Sequence, residues 1–137
     1  MKRIIVVVFI SLLSLSIIGC SGQDIPSYEG HEGVPDFGVF CKDAEYDEEY
    51  TQMTKESFYE SGENYPDISV YNIPTDKVDV VEEYTTLLES MGFTQSSGTS
   101  LYSGKGYLNQ DKTEGVLVAC NEDVYDSSIS KVTIILN

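Results

Sequence analysis

The chain has no tryptophan, one histidine, three cysteines and only eight lysines and arginines, set against 23 aspartates and glutamates. The shortage of bases excludes nucleic-acid recognition, which needs clustered Lys and Arg against phosphate. It also excludes docking on anionic lipid through a polybasic patch. The single histidine, His31, removes most His-dependent catalytic and metal-binding arrangements. What remains is ordinary for a folded protein: 137 residues, 41% of them apolar, suit one domain.

The few bases are unevenly placed. Lys2 and Arg3 precede a run from Ile4 to Ile18 that is apolar except for three serines, and all 23 acids lie beyond residue 19. Fifteen residues at ~1.5 Å each make a helix of roughly 22 Å, short of the ~30 Å hydrocarbon core. A basic start, a short apolar run and small residues after it read as a signal peptide over 1–19. Without those residues, 118 remain with 6 bases and 23 acids, a formal charge of −17.

Ile17-Ile18-Gly19-Cys20 resembles the bacterial lipobox: aliphatic at −3, small at −1, then an essential Cys. The resemblance implies that the Cys20 thiol receives a diacylglycerol and becomes the new N-terminus, the chemistry needing a thiol nucleophile and a small neighbour. Ile18 departs from the more usual small residue at −2. Two acyl chains give stable anchoring, so a membrane lipoprotein on the extracytoplasmic face is expected. The polar, Gly- and Ser-containing stretch after Cys20 predicts a flexible tether to residue 33, with His31 a solvated side chain in it.

Residues 34–137 read as a single α+β domain, an antiparallel sheet of about four to five strands with one main helix packed on one face. The helix is predicted over 76–91: Val80, Val81, Tyr84, Leu87, Leu88 and Met91 form one apolar stripe. Thr75 or Asp76 would cap it, and Gly92 followed by Phe93 fits a Schellman ending. Strands are predicted at 68–73, 115–120 and 131–136, a weaker one with a bend at 99–108, and one at Gly38–Cys41. Residues 46–59 fit either a helix or a strand.

A second resemblance rests on Val34-Pro35-Asp36-Phe37-Gly38, followed in order by Tyr71, Tyr84 and Leu88-Glu89-Ser90-Met91-Gly92-Phe93. This resembles a signature of small lipoproteins of Gram-positive bacteria. That family carries no activity to transfer, so the resemblance implies no catalytic residue and no cofactor.

Cys41 and Cys120, both on predicted strands, can form a disulfide outside the cytoplasm or remain two free buried thiols. Asp43, Glu45, Asp47, Glu48 and Glu49 place oxygens at alternate positions, but a calcium loop would need Gly in place of Glu48 and Glu in place of Thr54. Glu122, Asp123 and Asp126 form a smaller acidic group. Ser128-Ile129-Ser130-Lys131 matches Ser-x-x-Lys yet enters a strand, where that nucleophile geometry does not form. Gly104-Lys105-Gly106 lacks the rest of a phosphate loop. The ten tyrosines suit either core edges or an exposed binding face.

These features predict a non-enzymatic, lipid-anchored interaction domain with a basic peptide or protein partner, steered by the negative charge. The alternatives are a small envelope hydrolase using a carboxylate pair, and a passive surface coat.

Overall fold

Apolar residues that alternate along a chain need a sheet with covered faces, and three eight-residue strands here carry that pattern. The computed structural model describes residues 25–59, 66–96 and 104–137; the expected signal peptide and Cys20 lie outside them. The strands are β1 (Glu45–Tyr46), β2 (Asp67–Pro74), β3 (Thr94–Ser96), β4 (Lys105–Leu108), β5 (Gly115–Glu122) and β6 (Ile129–Leu136). They form one antiparallel sheet in the order β1-β2-β6-β5-β4-β3. The class is α+β as expected, but with six strands rather than four to five. The additional strands are the short edges β1 and β3, two and three residues long, whose patterns are too brief to read in sequence.

One face of the sheet presents Tyr71 and Ile73 of β2, Val132, Ile134 and Leu136 of β6, Val116 and Val118 of β5, and Tyr107 of β4. Helix α3 (Asp79–Ser90) covers this face with Tyr84 and Leu88. The predicted start at residue 76 is replaced by a 3-10 turn over Thr75–Lys77. Thr75 does not cap it because its hydroxyl lies 3.0 Å from that of Ser130 on β6. The ending is as expected. Phe93 N–H donates to Leu88 C=O and Gly92 N–H to Glu89 C=O, with Gly92 at φ +97°, which closes a Schellman motif and buries Phe93. The apolar stripe is narrower than its pattern: Met91, beyond the last turn, is exposed.

The strand expected at Gly38–Cys41 is instead part of a helical turn, α1 (Phe37–Phe40). Asp36 is the reason: its side chain accepts from the Gly38 N–H at 2.8 Å, so the cap overrides the β preference of Val39 and Phe40. Gly38 also admits the Tyr71 ring, since a Cβ there would stand 2.8 Å from the Tyr71 Cε1. Phe37 is fully buried, with ring centroids 5.4 Å from Tyr71 and 5.2 Å from Tyr84. Tyr84 donates to the Pro35 carbonyl at 2.7 Å. Val34, Phe37, Tyr71, Tyr84, Leu88 and Phe93 therefore meet in one core. The residues behind the second resemblance are a packing unit.

Residues 25–33, expected as the end of the tether, pack on the same face. Ser27 and Pro35 form an antiparallel bridge. The Tyr28 hydroxyl accepts from the Phe37 N–H and lies 3.1 Å from that of Tyr71; burial drives its pKa far above the ordinary value.

The opposite face carries Ile68, Val70 and Ile135 with Leu117, and α2 (Glu48–Tyr59) lies over part of it through Phe58. The segment left open between helix and strand is thus a helix, and the sheet is covered on both faces. Thr51 of α2 is fully buried and its hydroxyl accepts the Val70 N–H at 3.0 Å, which satisfies a donor on the edge of β2. Of the bent strand expected at 99–108, residues 105–108 form β4; residues 99–103 lie outside the described part. Among the described residues no helix is long and apolar enough to cross a membrane.

Candidate functional site

The acidic run at 43–49 does several separate jobs. Asp47 accepts the Tyr50 N–H at 2.9 Å and so caps α2, with Glu48 and Glu49 in the first turn where the helix dipole favours anions. Asp43 pairs with Lys77 at 3.2 Å on the surface, and Glu45 lies exposed in β1. Among the described residues, no three His, Cys, Asp or Glu side chains are grouped to hold a metal ion.

Register brings Asn72 of β2 opposite Lys131 of β6, on the face under α2. Lys131 Nζ donates to Asp47 at 2.9 Å, to Asn72 Oδ1 at 2.9 Å and lies 3.2 Å from Asp123. It also sits 4.5 Å from the centre of the Tyr50 ring, a cation–π contact. Burial would lower the Lys131 pKa, but the two carboxylates outweigh it and hold it above the ordinary value. Burial alone would raise the Asp47 pKa; the Tyr50 N–H, Lys131 and Asn72 instead hold it below the usual carboxylate range. The Asp123 pKa is lowered first by the Tyr125 N–H and then by Lys131.

Asp123 opens the β5–β6 turn. Its Oδ1 accepts from the N–H groups of Tyr125 and Asp126 at 2.7 and 3.1 Å. Asp126 in turn accepts from the Ser128 N–H and hydroxyl. The turn so fastened displays Val124 and Tyr125 at 88% and 97% exposure. Between this turn and α2 lies a groove of about 700 Å³. Its apolar surface comes from Tyr50, Met53, Val124 and Tyr125, and its charged groups are Asp47, Glu49, Glu122, Asp123 and Lys131. Of the seven tyrosine side chains described, Tyr28, Tyr71, Tyr84 and Tyr107 pack in or against the core, while Tyr46, Tyr50 and Tyr125 are exposed.

His31 is not the solvated tether residue expected. Its Nδ1 lies 2.9 Å from Glu114 and its Nε2 2.6 Å from Asp67, at the end of the sheet where β2 and β5 begin, and only 12% of the side chain is exposed. Burial would lower its pKa, but the two carboxylates overcome that and raise it above 6.5. A raised folded pKa stabilises fully below the unfolded value near 6.5, and the gain is lost as pH climbs through the folded value. As pH rises above about 6.5, the melting temperature of the parent is therefore expected to fall more steeply than that of a His31→Gln variant. Parallel profiles in a thermal melt series would contradict this.

Cys41 and Cys120 border the same core but are free; Cys41 is buried and Cys120 half-buried. Burial pushes the Cys120 pKa up, the reverse of a nucleophilic thiolate. Ser130 is buried beside Thr75, on the face of β6 away from Lys131, so the Ser-x-x-Lys pattern forms no pair. Gly104 packs against Leu117 and Val118 at the entry to β4, with no phosphate cradle.

Reading the sequence alone misses Tyr50, Asn72 and Lys131 as partners and His31 as a clamp. One signal was available: Asp47-Glu48-Glu49 is a helix-start pattern. No family model matches the chain, and neither a curated protein nor a solved structure matches it.

Proposed function

We propose that this protein is a lipid-anchored, non-enzymatic binding domain on the extracytoplasmic face of a bacterial membrane, with the groove between α2 and the β5–β6 turn as its ligand site. The anchor is supported by the Ile17-Ile18-Gly19-Cys20 pattern after a basic start and an apolar run. The observation that carries the binding function is the groove itself. Exposed Tyr50, Met53, Val124 and Tyr125 stand beside four carboxylates, and the one ammonium among them is already paired with two. A surface with this charge favours a basic peptide or protein partner, through attraction that weakens as salt is added.

The facing carboxylates Asp47 and Asp123 support the non-enzymatic reading. Both pKa values are held low, whereas a carboxylate pair for hydrolysis needs one acid that keeps its proton near neutral pH. Capture of a basic protein from envelope extract at low salt, with loss at moderate salt, is the expected result of a pull-down. Absence of any salt-sensitive partner would overturn the proposal.

A further inference from the structure

We infer that the groove takes an extended basic peptide segment, with an apolar side chain between Tyr50 and Tyr125 and a flanking arginine or lysine on Glu49. This rests on the binding-domain reading and gives it a partner class and contact residues. The apolar part follows from Val124 and Tyr125, neighbouring large side chains almost wholly in water on a turn fastened by Asp123 and Asp126. A tyrosine side chain has only two torsions to fix, and the backbone beneath Tyr125 is already held by the turn, so covering it costs little entropy.

The basic part follows from the charges. Lys131 is spent on Asp47 and Asp123, so an anionic guest would meet carboxylates and no uncommitted cation. An uncharged guest would take Glu49 out of water without a partner. Glu49 stands on the α2 wall of the groove, whereas Glu122, opposite Ser130 in the register, turns toward the other face of the sheet. How a cation is satisfied here is already visible, because the Lys131 ammonium lies over the Tyr50 ring with carboxylates beside it. The volume lies within the ~300–1,000 Å³ typical of small-ligand sites, enough for one large side chain and part of its neighbours.

Access agrees with the anchor. The chain from Pro26 to Cys41 packs on the sheet face opposite the groove. Cys20 precedes Ile25 by five residues, a reach of roughly 18 Å when fully extended. The groove is thus on the face away from residues 26–41.

The test uses the full chain in detergent micelles and a short dye-labelled peptide of alternating arginine and phenylalanine, read by fluorescence anisotropy. Tyr125→Ser should weaken binding roughly tenfold, as expected for an interface tyrosine, without lowering the melting temperature. Glu49→Gln should weaken it and flatten its salt dependence, while Glu83→Gln on α3 should leave it unchanged. Equal binding of the peptide with serine in place of phenylalanine would overturn the inference, as would unchanged affinity in Tyr125→Ser. Self-association through Tyr125 in sedimentation, without peptide capture, would also overturn it. If extract partners are captured equally by parent and groove variants, this site fails while the binding-domain reading survives. If neither captures a salt-sensitive partner, both fail.

Discussion

Tyr84→Ala should lower the melting temperature by roughly 12–20 °C, the largest change expected from any single substitution in the core. The ring is fully buried between Phe37 and Phe40, at centroid distances of 5.2 and 5.5 Å. Removing a buried aromatic costs about 3–5 kcal/mol, because transfer energy is lost and a cavity is left. For a domain of this size each kcal/mol corresponds to about 4 °C. Tyr84→Phe separates the hydroxyl from the ring. It keeps the packing but leaves the buried Pro35 carbonyl without its donor, at about 1–2 kcal/mol, or roughly 4–8 °C. Thermal unfolding followed by circular dichroism reads both. A Phe variant as unstable as the Ala variant would mean that the hydrogen bond, not the ring, organises this core. An Ala variant within a few degrees of the parent would refute the assignment of Tyr84 as its centre.

The second large effect is all-or-none. Cys20→Ala should leave the precursor uncleaved and without lipid, since the lipobox that residues 17–20 resemble is processed at that thiol. Burial of acyl chains contributes about 0.8 kcal/mol per CH₂, so loss of the diacylglycerol removes the proposed anchor. Metabolic labelling with a palmitate analogue should mark the parent and not the variant. Equal label in both would sink the lipoprotein proposal.

Much of the architecture was legible because it is written in local, periodic signals. The apolar runs at 115–120 and 131–136 are the two central strands, β5 and β6. The three- and four-residue spacing from Val80 to Leu88 is α3, and Gly92-Phe93 ends it as their chemistry requires. Where two local signals competed, reading failed. Val39 and Phe40 favour a strand, yet the Asp36 cap and the fit of Gly38 against Tyr71 make a helical turn. The edge strands β1 and β3 went unseen because their few residues have no period.

The clamp and the groove are built from residues far apart in the chain. His31 meets Glu114 across 83 residues of chain and Asp67 across 36. Lys131 meets Asp47 across 84 and Asn72 across 59. No window of sequence contains such a set. Sequence determined that the chain is strongly acidic, carries a lipobox-like segment, and has strands and a helix with apolar faces to bury. Tertiary structure decided which polar residues meet, because the β2–β6 register places Asn72 opposite Lys131 and a shift of one residue would send either side chain to the other face.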